Sequence, residues 1–424
     1  MLSRLRESIR QSFVVTPLVG LILGLLLALV TTDIDSHLSH ELAQANDELV
    51  QSLGRPNATV IAAVGPAMLT FLGVVFSITL VALQMAAGQL SPRVVRLFIR
   101  SRVIKCTLAV FIGTFVYTLF VQFLAYEDIT ESGKPAPFVP LVSGATTMVL
   151  VLGSVVMFVI YVHHTVRLMR LSEVIDLITV ETQQSISVLT NLRRPVDASY
   201  PTTAAQVVRY MGRPGVLRSV NVAWLVHQAK RHNATLRLLP RVGDFLAPGT
   251  PVFEQHGDRS PSARALARSL KVGSERSMYQ DVSFGLRQLV DIAIRALSPA
   301  VNDPTTAVQS LDRIHVLLTS MSDLPLGERR HADRSGTVRL IEPLPEWADL
   351  VTLGFTEIML CGVTAPQVTR RMAAALEDLV AAVPERRRAS VQRCHRHLTE
   401  AVASAVADVE MRVFALTPDR QGIG

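Results

Sequence analysis

The hydrophobic pattern divides the chain into two parts. Up to about residue 170, apolar residues come in long runs with almost no polar relief. Beyond that point, short apolar groups alternate with charges at helical and strand spacings. Phe13 to Val30 is apolar and uncharged, long enough at about 1.5 Å per residue to cross a hydrocarbon core of about 30 Å. From Pro56 to Pro92 no residue is charged, which places a second span over about 60–90. Val103 to Ala125, interrupted only by Lys105, and Phe138 to Val162 predict the third and fourth, about 103–125 and 138–162. Arg4, Arg6 and Arg10 give the first run the look of a signal peptide, but no small-x-small cleavage site followed by a secreted domain appears and three further spans follow, so we read it as a retained helix.

The loop charges orient these spans, because cytoplasmic loops hold the excess of Lys and Arg. The segment after the first span carries Asp33, Asp35, Glu41, Asp47 and Glu48 and reads as an outside loop. The short loop after the second holds Arg93, Arg96, Arg100, Arg102 and Lys105 and reads as inside. Glu127, Asp128 and Glu131 then lie outside, and His163, His164, Arg167 and Arg170 inside. The expectation is a multi-pass protein of the bacterial inner membrane with both termini cytoplasmic.

The second part predicts a cytoplasmic α+β domain: a connecting helix and linker (171–199), a small α+β unit (200–258) and a mainly helical unit (259–424). A helix over Leu171 to Leu192 is followed by a strand over Gly215 to Val222, a helix near Ala223 to His232 and a strand over Ala234 to Leu239. Arg241 to Glu254 has Val-Gly-Asp and Pro-Gly turn signals between short strands. It resembles small biotinyl- or lipoyl-carrier modules, but no lysine sits on a turn, and we read it as structural. Val282 to Leu297 is an amphipathic helix that Ser298-Pro299 stops. Asp303 as N-cap and Pro304 in the first turn start the next. A strand over Thr337 to Ile341 and helices over Pro345 to Leu360, Pro366 to Ala382 and Glu385 to Phe414 complete the prediction.

Three segments carry a resemblance: FSITLVALQMAAGQLSPRVVRLFIRSR, VFIGTFVYTL and DVSFGLRQLVDIAIRALSPAVNDPTTAV. They resemble a bacterial family of predicted membrane proteins catalogued as domain of unknown function 2254. The resemblance covers nearly the whole chain. It implies four spans, a cytoplasmic domain and no established activity, and it supplies no catalytic residue.

Composition excludes several classes. Of 424 residues, 49% are apolar and only 18% charged, against roughly 25% charged in an ordinary domain, so a disordered polymer is ruled out. Forty-two basic against thirty-five acidic residues give +7, but the excess is largely juxtamembrane and lacks aromatic interleaving, which disfavours nucleic acid. Cys106, Cys361 and Cys394 make no disulfide framework. There is no phosphate-binding loop, HExxH or Gly-x-Ser-x-Gly elbow, so neither an enzyme nor a cofactor is expected.

The candidate chemistry lies in the second span. Thr70, Ser77, Gln84 and Ser91 recur every seven residues and form one polar stripe. Polar side chains facing lipid are costly, so the stripe is expected to face protein or water. One reading is helix–helix packing; the other is a pore ringed by copies of this helix in a homo-oligomer. Without an intramembrane acid or base to couple an ion, a channel fits better than a pump. Thr107, Thr114, Thr118 and Gln122 in the third span, and Ser143, Thr147 and Ser154 in the fourth, form weaker stripes. Arg93, Arg96, Arg100, Arg102 and Lys105 are topology determinants and contacts for anionic lipid headgroups, or a cationic ring at the inner mouth of a pore that prefers anions. Asp281, Arg287, Asp291, Asn302 and Asp303 are either caps and helical pairs or a cluster around a ligand. Cys394 and His397 share a helix face but make only half a zinc site, and no metal is expected.

Overall fold

In the absence of water, a backbone must satisfy its own hydrogen bonds, so uninterrupted apolar runs become helices. The computed structural model describes residues 14–45, 47–89, 101–131, 140–168, 170–190, 206–257 and 261–422. It divides into two units, Met1–Arg170 and Leu171–Gly424.

The first unit contains α1 (Val15–Ala45), α2 (Asp47–Gln89), α3 (Arg102–Glu131) and α4 (Leu141–Leu168). Each is long and apolar enough to cross a membrane, over Val15–Ser39, Pro56–Met85, Arg102–Leu124 and Leu141–Arg167. The expected outside loop after the first span is helical instead: α1 has 31 residues, or about 46 Å of rise, and carries Asp33 and Asp35 on the helix. α3 lies at the centre of the bundle, with Thr107, Thr114, Tyr117 and Thr118 all buried. α1 reaches it through Gly20 and Gly24, one turn apart. A Cβ at either would collide with the backbone of Ala109 or Gly113, and a Cβ on Gly113 would stand 2.9 Å from the Gly20 carbonyl. Small residues at this spacing let two helix backbones touch.

The second unit begins with α5 (Leu171–Thr190). It continues through β1 (Gln206–Arg209), β2 (Gly215–Val220), α6 (Val222–Arg231), β3 (Thr235–Leu238), β4 (Phe245–Leu246), β5 (Pro251–His256), α7 (Ala263–Ala267) and β6 (Leu270–Gly273). Then come α8 (Val282–Ala296), α9 (Pro304–Met321), β7 (Glu328–Ala332), β8 (Val338–Pro343), α10 (Trp347–Gly362), α11 (Pro366–Ala382), α12 (Glu385–Ala405) and α13 (Val409–Leu416). One sheet has the order β1-β5-β3-β8-β7, the other β4-β2-β6. The first sheet joins β1, β3 and β5, which precede the expected boundary at residue 258, to β7 and β8, which follow it: β3 pairs with β8 in parallel, Leu236 opposite Leu340, and both leucines are buried in one core with Leu217, Leu225, Leu246 and Phe253. Helix α12 stops at Ala405, because Asp408 caps a separate α13 by accepting from the Met411 amide; the single helix expected to Phe414 is therefore two.

Candidate functional site

The buried face of α2 is the row Ile61, Met68, Val75 and Ala82, seven residues apart. Thr70, Ser77 and Gln84 each lie two positions further along, about 200° around the helix, and all three are exposed. The polar stripe thus occupies the side of α2 opposite its packing against α3 and α4. Thr70 donates its hydroxyl to the Pro66 carbonyl at 3.1 Å and Ser77 to that of Gly73 at 2.9 Å. Gln84, with an amide of two donors and one acceptor oxygen, has no hydrogen bond within the chain among the described residues. Beside the stripe, a Cβ at Gly73 would meet nothing within 4 Å among the described residues. Ser91 lies outside the described residues.

The polar residues of the third and fourth spans face the other way. Thr107, Thr114, Thr118, Ser143, Thr147 and Ser154 are buried. Thr114 and Ser154 approach to 3.3 Å, and Gln122 donates to the Ile61 carbonyl at 3.3 Å. Two tyrosines that the sequence reading passed over bind the bundle together. The Tyr117 hydroxyl lies 3.0 Å from that of Thr31 and donates to the Ser143 carbonyl, joining α1, α3 and α4. The Tyr161 hydroxyl lies 2.7 Å from that of Thr79 and donates to the Val75 carbonyl, joining α4 to α2. Their signal was available: a tyrosine in an apolar run has one polar atom that needs a partner when buried.

Of the basic group, Arg93, Arg96 and Arg100 lie outside the described residues. Arg102 is exposed and Lys105 buried, so these two do not present one continuous face. His163 is exposed, whereas the ring of His164 lies 2.8 Å from the Ser101 hydroxyl.

The five polar residues of the second unit do not converge. α8 has 15 residues, about 22 Å of rise, with Asp281 at its start and Asn302 and Asp303 beyond its end. Asp281 caps α8 by accepting from the Phe284 amide at 3.1 Å and pairs with Arg276 at 2.7 Å. Burial pushes its carboxyl upward, and the Arg276 guanidinium opposes that shift. Gly243, at φ +102°, makes room for the pair; a Cβ there would meet both charged groups at 2.5 Å. Arg287 donates to Asp291 at 2.6 Å and grips both carboxylate oxygens of Glu357, joining α8 to α10. Those hydrogen bonds hold the Glu357 carboxyl below its usual range. Asn302 turns the chain at φ +47°, and Asp303 caps α9 by accepting from the Thr306 amide. Cys394 is buried while His397 is exposed, and no group of three or more His, Cys, Asp or Glu among the described residues is placed to hold a metal.

A bundle of four apolar helices followed by a mixed helix–sheet unit defines a multi-span membrane protein. The chain belongs to the family described as predicted membrane protein DUF2254, which matches residues 10–378. It is similar to uncharacterized proteins of Mycobacterium bovis and Mycobacterium tuberculosis, each 29% identical over 379 residues, covering 85% of this chain and 69% of theirs. No solved structure matches it.

Proposed function

We propose that this protein is a homo-oligomeric channel of the bacterial inner membrane, in which copies of α2 surround a path lined by Thr70, Ser77 and Gln84. The observation that carries the reading is the placement of these residues opposite the packing row of α2. On a lone protomer they would face lipid, where a primary amide such as Gln84 loses its hydrogen bonds. A ring of protomers gives that face water instead. In this reading Ser91 continues the lining, and Arg93, Arg96, Arg100 and Arg102 cluster at the inner mouth, favour anions and meet anionic headgroups, while the buried Lys105 takes no part. The alternating charges of the connecting segments put both termini and the second unit in the cytoplasm, where that unit regulates opening.

A second reading is a membrane-anchored sensor or scaffold whose second unit binds a partner. It is favoured by the hydroxyls of Thr70 and Ser77, which are already satisfied by their own helix and so tolerate lipid. Conductance in planar bilayers, with Gln84→Leu beside the native protein, separates the two. Discrete currents altered by the substitution are expected. Silence across voltage, tension and salt overturns the channel.

A further inference from the structure

We propose that α12 and α13 form a docking surface for anionic membrane lipid, separate from the stripe on α2. Helix α12 buries Arg387, Val391, Cys394, Leu398 and Val402. At 100° per residue, Arg386, Arg393, Arg396 and His397 fall on the opposite half, and these together with Arg388 are exposed. Glu385–Ala405 carries five arginines against two glutamates. Arg387 is spent inside the fold, where its guanidinium donates to the Met321 carbonyl at 2.8 Å and to those of Ser322 and Leu324. None of the other four arginines has an ion pair or hydrogen bond within the chain among the described residues, not even with Glu400 one turn from Arg396.

These exposed arginines leave a cationic face open to an anion, and α13 indicates which kind. Val409 and Val413, one turn apart, are 66% and 64% exposed, and Val409 is four positions beyond the end of α12. Basic side chains followed by bare aliphatic ones match the edge of a bilayer, where headgroup phosphates lie above hydrocarbon. Nucleic acid would reward aromatic rings free for stacking; the Phe414 ring, 43% exposed, already carries the Arg370 guanidinium over one face at 4.4 Å, and the other bare apolar side chains are aliphatic. The spans of the same chain keep the surface tethered to a membrane, so lipid is always at high local concentration. This segment lies beyond residue 378, where the family match ends.

The test uses the full-length protein in nanodiscs of phosphatidylcholine alone or with about one-third phosphatidylglycerol. Modification of each arginine by phenylglyoxal is followed by mass spectrometry. In the anionic discs, Arg393 and Arg396 are expected to react at least about fivefold more slowly, since a basic residue near an anionic surface gains about that factor. High salt should abolish the protection, and Val409→Asp with Val413→Asp should weaken it; burial of Cys394 against thiol reagents serves as the fold check. Equal rates in the two discs overturn the proposal. So does protection by an oligonucleotide in neutral discs with none from anionic lipid, which would make the surface a nucleic-acid site.

Discussion

The carboxylate of Asp35 accepts the backbone amide of Ser143 at 2.9 Å across 108 positions of sequence, and its second oxygen accepts that of Val142 at 2.7 Å. An acid on α1 thus caps the first turn of α4, where the unpaired amides and the helix dipole favour negative charge. Asp35→Ala is expected to lower stability in detergent by about 2 kcal/mol, and Asp35→Asn, which keeps one acceptor, by about half as much. Thermal unfolding of the two variants checks the order; equal losses would mean that only the charge matters.

Gly24 and Gly73 are both glycines in membrane helices, yet only one is confined. Gly24→Ala drives a Cβ into the Gly113 backbone and is expected to cost about 2 kcal/mol or more, because two helix axes must separate. Gly73→Ala meets nothing among the described residues and is expected to be neutral, or to stabilise by up to about 1 kcal/mol through helix propensity. Melting temperatures of the pair test the packing directly.

The grip of Arg287 on Glu357 has a pH signature. The folded-state carboxyl is held low by those hydrogen bonds, so the folded protein binds the proton less readily than the unfolded chain. The contribution is therefore complete above the ordinary glutamate range and is lost as pH falls through the lowered value. Both side chains are partly exposed, at 24% and 49%, which limits the effect to about 1 kcal/mol. Glu357→Gln should lower stability at neutral pH and flatten its fall in acid. Unfolding curves at several pH values decide this.

Burial pushes the Cys394 thiol up to about 12, whereas Cys361 is exposed. Because the thiolate is the reactive form, at pH 8 Cys361 should react with a maleimide at least about a hundredfold faster. Cys394 should become reactive only on denaturation. Peptide mapping after timed labelling distinguishes them.

Some of the fold was written locally. Pro366 to Ala382 is a helix between the residues where the pattern placed it, and Asp303-Pro304 starts α9 because an acceptor before a proline serves a helix N-terminus well. Strand β7, Glu-Arg-Arg-His-Ala, has no apolar alternation at all; it is a strand because β8 pairs with it, Arg330 opposite Ile341. Strands β1 and β6 have four residues each, too short for a period to register. Helix α7 has only five.

The four spans follow from the apolar runs alone, since hydrocarbon offers an unbroken apolar chain no partner but its own helix. Their spacing likewise puts Thr70, Ser77 and Gln84 on one side of a helix, and Thr107, Thr114 and Thr118 on one side of another. That the second group is buried at the centre of the bundle, and that the first points away from it, came from the packing of the helices. Periodicity fixes which residues share a face of one helix; what covers that face depends on where the other helices lie, here on the glycine contact that seats α1 against α3 and the tyrosines that tie α4 to its neighbours.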